Sequence, residues 1–144
     1  MQELLDVLIV GAGPTGLACA IEAVANRIKV LVVEKGVLVN SVYNYPATMT
    51  FFTSRERLEI GDLPLPSLNT KPQRAEALEY YRRVADFYRL PMHFYERVMA
   101  VKGENEQQAI QTAKDSACSF ISNGRDENIR CSQSAPVSVK CKHL

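Results

Sequence analysis

The 144-residue sequence contains no apolar run that approaches the ~20 residues needed to cross a bilayer. It has no large excess of either charge, and a net charge of only +1 argues against nucleic acid or an acidic membrane surface as a partner. Glu3 and Asp6 interrupt the first residues, a pattern that does not fit a secretory signal. These absences predict a cytoplasmic protein whose four cysteines stay reduced.

A glycine-rich turn follows the first apolar run, in a chain whose length and composition suit one globular domain. Residues 6–10 are apolar almost throughout, which predicts a buried parallel strand. Gly11 allows a sharp bend, Gly13 allows a phosphate to approach closely, and Gly16 allows a helix to pack tightly on the strand. Pro14 suits the first turn of that helix, where its missing N–H is not needed.

A helix and a second apolar strand come next. The helix is predicted over Thr15–Ala25 and to end at Asn26, which tolerates left-handed backbone. Its apolar stripe consists of Leu17, Ala20, Ile21 and Val24. The second parallel strand is predicted at residues 29–33. Glu34 follows this strand and can accept hydrogen bonds from the ribose hydroxyls of an adenosine. This order of elements predicts a dinucleotide-binding βαβ unit at residues 6–35. A glycine-rich turn without a ligand is the alternative.

Regular periodicity is lost over residues 36–68, where aromatic side chains cluster. A loop this long tends to be functional, although the aromatic residues could instead fill a satellite core. Ser54 could cap a short helix through Ile60. A longer helix is predicted over Gln73–Arg89, with an apolar stripe at Leu78, Tyr81, Ala85 and Tyr88.

Strand-like residues dominate the part of the chain that follows this helix. Met92–Tyr95 is predicted to form a third strand, on which His93 is structural rather than catalytic. Residues 98–102 and 109–112 are predicted to form an antiparallel hairpin that turns near Gly103.

Several stretches in the middle of the chain resemble one enzyme family. They are Val39-Asn40-Ser41, Tyr43-Asn44-Tyr45-Pro46, Met49-Thr50-Phe51-Phe52 and Leu58-Glu59-Ile60-Gly61-Asp62. The sequence from about Asp6 to about Ala113 resembles the flavin-dependent bacillithiol-disulfide reductases, which are NADPH-using oxidoreductases related to thioredoxin reductase. The resemblance implies FAD at the first βαβ unit, with residues 36–53 along the flavin and Val98 beside the adenine. The cofactor-binding residues that it implies are Gly11, Gly13, Pro14, Thr15, Gly16, Glu34 and Lys35.

Two departures limit what the resemblance implies about catalysis. Bacillithiol-reducing members have a cysteine where this chain has Thr15, and a threonine hydroxyl cannot form a mixed disulfide. Cys19 is expected to be a small core residue. The family's second glycine fingerprint, which binds NADPH, does not occur in the sequence. No catalytic residue is therefore assigned, and the sequence has no expected nicotinamide site.

The resemblance ends near residue 114, and no helix or strand period is sustained beyond it. We predict an FAD-binding domain at residues 1–113 and a poorly ordered tail at residues 114–144, which fits a truncated or frame-shifted product. The tail contains four residues of the types that bind zinc: Cys118, Cys131, Cys141 and His143. Their separations of 13, 10 and 2 residues lack the C-x-x-C pair of structural zinc sites, so no metal site is predicted.

The predicted fold class is α/β, a Rossmann-type parallel sheet with a short antiparallel excursion. The first strand is expected to be central and the 92–95 strand outermost on one side. The family strand that would flank the first strand on its other side is missing. Another copy, a partner chain or the tail is then expected to cover that apolar edge.

Two functions stay open. One is the FAD-binding part of an NAD(P)H-dependent flavin oxidoreductase. The other is a non-catalytic nucleotide-binding remnant, or a subunit whose partner supplies the nicotinamide site.

Overall fold

The computed structural model describes residues 5–104, 107–114 and 137–140, which form two three-stranded sheets and two long helices. The elements are β1 (Val7–Val10), α1 (Pro14–Ala25), β2 (Val30–Val33), α2 (Asn40–Tyr43), a 3₁₀ turn (Arg55–Arg57), α3 (Arg74–Phe87), β3 (Met92–His93), β4 (Glu96–Glu104), β5 (Gln107–Lys114) and β6 (Val137–Lys140). The predicted fold class is confirmed, because β1, β2 and β3 pair in parallel and β4 and β5 pair antiparallel.

The parallel sheet has the order β1-β2-β3, in a register that pairs Val7 with Val30 and Val32 with Met92. The outer position of β3 was predicted correctly. The prediction that β1 is central was wrong for the described residues, because β2 lies between β1 and β3. Full burial of β1 was also wrong: Val10 at its end is 62% exposed. A strand that is paired on one side only leaves part of its apolar surface open.

Helices cover one face of the parallel sheet and the antiparallel hairpin covers the other. On the helical face, Leu17 of α1 and Tyr81 and Val84 of α3 are buried in the same cluster as Val32 of β2. On the opposite face, Leu5 packs with three half-buried side chains, Leu8, Leu31 and Val98. The sheet is therefore the middle layer of three, as in α/β folds whose parallel strands are buried.

Helix α1 differs from its prediction in three details. Cys19 is exposed rather than part of the core, because the helix turns that position away from the sheet. Val24 is 36% exposed and Ala23 is buried instead, so the apolar stripe is displaced at its last turn. Asn26 does cap the helix, but with φ of −89°; the left-handed residue is Arg27, with φ of 58°.

Helix α3 begins with a capping box, in which the Gln73 N–H donates to the Glu76 carboxylate at 2.7 Å. It is shorter than predicted, and its buried residues include three outside the predicted stripe: Ala77, Tyr80 and Val84. The stripe is wider than a single row because the sheet and the long loop both contact this helix.

The loop over residues 36–68 contains the short helix α2, which the local sequence pattern does not predict. The helix expected from Ser54 to Ile60 is only the 3₁₀ turn Arg55–Arg57. Phe51 packs against the main core, whereas Phe52 is 91% exposed and Tyr43 is 51% exposed. The aromatic residues therefore do not form a separate satellite core.

The antiparallel hairpin is confirmed and is longer than predicted. Strand β6 pairs with β5 and lies close to β1, so the expectation of no regular structure beyond residue 114 is wrong at these four residues. The three cysteines and the histidine of the tail, for which no metal site is predicted, lie outside the described residues, and the boundary at residue 113 stays a prediction. Within the described part of the chain, no helix has the length and apolar character that a membrane span requires.

Candidate functional site

The glycine turn joins β1 to α1 in a conformation that two of its glycines make possible. Gly11 has φ of 105°, a value that side chains disfavour, and its N–H donates to the Val33 carbonyl at 2.8 Å. A Cβ on Gly16 would lie 2.0 Å from the Gly11 carbonyl oxygen. Glycine is therefore favoured at position 11 by the backbone conformation of the turn and required at position 16 by the close approach of β1 and α1.

The start of α1 has free backbone donors beside open space. The first hydrogen bond of the helix runs from the Leu17 N–H to the Gly13 carbonyl at 2.9 Å. No described residue accepts from the N–H of Thr15 or Gly16, as expected in the first turn of a helix. A Cβ on Gly13 would meet no atom within 4 Å. An anion over Gly13 could therefore reach these donors and the positive end of the helix dipole.

Glu34 is buried, with 6% of its surface exposed, and its carboxylate fixes the glycine turn. One oxygen accepts from the Ala12 N–H at 2.9 Å, and the other accepts from the Gly36 N–H at 2.9 Å. Each carboxylate oxygen can accept a second hydrogen bond, so ribose hydroxyls could still bind here. The sequence spacing predicted that Glu34 contacts the ligand. It did not predict the hydrogen bonds from the backbone to Glu34, because these form only where the end of β2 lies beside the end of β1.

A strained residue holds the other side of the turn. Val39 precedes α2 with φ of 46° and ψ of 48°, a left-handed conformation that is rare for a β-branched residue. Its N–H donates to the Ala12 carbonyl at 2.9 Å, and its side chain is buried. Ala12 is thus held through both its N–H and its carbonyl, which makes the glycine turn rigid.

A groove of about 270 Å³ lies at the ends of the strands. We call it the strand-end groove; it is lined by Val10, Gly11, Val33, Glu34, Lys35, Glu96, Arg97 and Val98. Glu96 is buried, and its carboxylate lies 3.1 Å from Nδ1 of His93. The His93 side chain is half exposed beside this carboxylate, and its structural role stays a prediction.

A second cavity, of about 460 Å³, lies beside the first turn of α1. This helix-start cavity is lined by Pro14, Thr15, Ala18, Ser41, Val42, Tyr45, Phe51, Arg57, Leu58, Ile60 and Tyr81. Burial raises the pKa of Tyr81 to about 12, and its hydroxyl donates to the Leu58 carbonyl at 3.0 Å. The phenol, which is neutral at physiological pH even at its ordinary pKa, stays neutral further into the alkaline range.

The predicted cofactor residues fall into three adjoining groups. Gly11, Glu34, Lys35 and Val98 line the strand-end groove, and Pro14 and Thr15 line the helix-start cavity. Gly13 caps the start of α1 between them, and Gly16 lies in the first turn of that helix. Sequence reasoning did not identify Arg57 or Tyr81 as cavity residues, because only tertiary packing brings the 3₁₀ turn and α3 to the start of α1.

One protein family, described as pyridine nucleotide-disulphide oxidoreductase, matches this sequence over residues 8–120. The chain belongs to this family. The match includes the glycine turn, both cavities and the whole β4–β5 hairpin, so the site described above lies in the part of the chain that defines membership.

Relatives within this family support the more specific resemblance to bacillithiol-disulfide reductases. Bacilliredoxin reductase Bdr of Bacillus subtilis (strain 168) is 53% identical over 77 residues, which are 54% of this chain and 24% of the relative. The structure of bacillithiol disulfide reductase Bdr from Staphylococcus aureus has a TM-score of 0.76 at 43% identity, over 80% of this chain and 35% of that one. The Bdr structure from Bacillus cereus has a TM-score of 0.81 at 37% identity, over 96% of this chain and 38% of that one. This chain therefore spans about a quarter to two fifths of the length of these relatives.

Proposed function

We propose that this chain binds FAD across its glycine turn and is the FAD-binding part of an NAD(P)H-dependent flavin oxidoreductase of the bacillithiol-disulfide reductase type. The observation that supports it most is the arrangement of two cavities at the two ends of one turn. A dinucleotide has two ring systems joined by a pyrophosphate, and this shape matches a groove, an anion-binding turn and a second cavity in that order.

Each part of the site has a chemical role in this proposal. The free N–H groups of Thr15 and Gly16 would bind the pyrophosphate over Gly13, and the Glu34 carboxylate would accept from the ribose hydroxyls. Val98 and Val10 offer apolar surface to the adenine. The same Glu34 carboxylate disfavours a 2′-phosphate at this position, which argues for FAD rather than NADP in this groove.

The helix-start cavity would take the flavin ring. Val42, Phe51 and Ile60 provide apolar contacts, while Thr15, Ser41 and Tyr45 provide hydroxyl groups. FAD supplies hydride acceptance and electron transfer when it is bound. Thr15 faces this cavity and cannot form a mixed disulfide, so we assign no disulfide-exchange residue to the turn.

The experiment is an absorption spectrum of the purified chain after free flavin has been removed. We expect the visible bands of oxidised flavin, either directly or after incubation with FAD. Colourless protein that takes up no added FAD would refute the proposal. Protein that binds ADP but not FAD would instead support the alternative of a nucleotide-binding remnant. An NADPH oxidation assay of the flavin-loaded chain would then test turnover.

A further inference from the structure

Arg57 is the one charged side chain among the described residues that line the helix-start cavity. The other lining residues are apolar or carry a hydroxyl group. Tyr81, which also lines the cavity, is a neutral phenol at physiological pH. The cavity therefore has a positive charge on its wall and no acidic lining residue to compensate it.

The guanidinium of Arg57 is not used to hold the fold together. Its neighbour Arg55 pairs with Glu56 at 3.1 Å and donates to the Ser67 carbonyl at 2.8 Å. Arg57 instead contributes only its backbone N–H, which donates to the Ser54 carbonyl at 3.2 Å. Among the described residues, no acceptor or carboxylate lies within bonding distance of the Arg57 side chain. Its charge is thus available to a group that enters the cavity.

We propose that Arg57 raises the reduction potential of the flavin by stabilising the reduced ring as an anion. This inference rests on the FAD binding proposed above. A hydride from a nicotinamide donor delivers two electrons and one proton, and it converts the neutral oxidised ring into a reduced ring with one negative charge. A positive charge on the cavity wall lowers the energy of that anion more than the energy of the neutral ring.

The test is the two-electron reduction potential of the flavin-loaded full chain, measured by anaerobic titration against a reference dye. Arg57→Gln removes the charge, Arg57→Lys keeps it, and Arg55→Gln removes a cation of the same turn that does not line the cavity. We expect Arg57→Gln to lower the equilibrium constant for flavin reduction about tenfold. For a two-electron couple this is a decrease of ~30 mV in the reduction potential. Arg57→Lys and Arg55→Gln should stay near the wild-type potential.

Ionic strength provides a second measurement. Because the Arg57 side chain is exposed, salt should screen it, and the difference between wild type and Arg57→Gln should shrink as salt is added. If Arg57→Gln does not retain flavin, Arg57→Met replaces it as an uncharged side chain of similar length.

The outcomes separate this inference from the proposal on which it rests. Wild-type chain that takes up no FAD refutes both. Flavin-loaded Arg57→Gln or Arg57→Met with the wild-type potential overturns the role of Arg57 and leaves FAD binding intact. An equal decrease in Arg55→Gln would also overturn it, since the effect would then not depend on the cavity wall.

Discussion

The carboxylate of Glu34 accepts a hydrogen bond from the N–H of Ala12 at 2.9 Å, across a separation of 22 residues. This bond joins the end of β2 to the turn that follows β1. Because Glu34 also accepts from the Gly36 N–H, one buried carboxylate orients the turn and the start of the long loop. The residue expected to bind the ribose is therefore also a structural support for the pyrophosphate turn.

Glu34→Gln should destabilise the fold by about 1–3 kcal/mol. The glutamine amide has one oxygen and one NH₂ group, so it can accept from only one of the two N–H groups of Ala12 and Gly36, and the other loses its acceptor. The measurement is urea denaturation followed by far-ultraviolet circular dichroism. Lys35→Gln is the matched control, since Lys35 is an exposed neighbour and surface changes of this kind usually stay within about 0.5 kcal/mol. Equal unfolding midpoints for the two variants would contradict the structural role of Glu34.

Gly13→Val should abolish or strongly weaken FAD retention while the fold stays intact. The position has φ of −78° and open space around its Cβ, so the new side chain fits the protein but occupies the proposed pyrophosphate path. Each lost hydrogen bond to a charged group costs about 1.5–3 kcal/mol, so we expect at least about tenfold weaker binding. Flavin content and thermal melting are measured together, and unchanged flavin retention would refute the assignment.

Gly16→Ala should have the opposite pattern, with loss of stability whether or not FAD is present. The new Cβ would lie 2.0 Å from the backbone carbonyl oxygen of Gly11, which cannot move aside as a flexible side chain could. Overpacking of this kind costs about 1–3 kcal/mol or more. Thermal melting of the variant beside Gly13→Val tests the difference, and a wild-type melting temperature for Gly16→Ala would contradict the close contact of β1 and α1.

Tyr81 should make the fold sensitive to alkaline pH. Its folded pKa of about 12 lies above the usual value of 10, chiefly because of burial. The neutral phenol therefore stabilises the fold fully below pH 10, and this contribution is lost as the pH rises towards 12. Tyr81→Phe should lose about 1 kcal/mol at pH 7 with the hydrogen bond to Leu58 and should show a smaller alkaline loss.

Urea denaturation at several pH values between 8 and 11 measures this effect, with wild type and Tyr81→Phe compared at each value. Tyr80→Phe is a useful second variant, because burial also raises the pKa of Tyr80. A wild-type stability that falls no faster with pH than that of Tyr81→Phe would show that the phenol does not contribute in this way.

Local sequence determined much of the βαβ unit. Apolar residues before and after a glycine turn predicted β1, α1 and β2, because tight turns, buried strands and helix starts have strict local requirements. Gly11 and Gly16 illustrate this, since a positive φ disfavours a side chain at Gly11 and the Gly11 carbonyl oxygen leaves no room for one at Gly16. The antiparallel hairpin was also predicted, since its two apolar segments flank a plausible turn.

Tertiary structure decided what depends on contacts between distant segments. The exposure of Val10 and Cys19 follows from which faces have neighbours, and short-range periodicity does not contain that information. The bonds of Glu34 to the turn and the opening of Arg57 into the helix-start cavity arise only when β2, the long loop and α3 pack around the start of α1. The sequence by itself thus determined a glycine turn suited to a dinucleotide, because that requirement is local. Packing decided how the turn is held and which charge faces the second cavity, because those properties need residues far apart in the chain to meet.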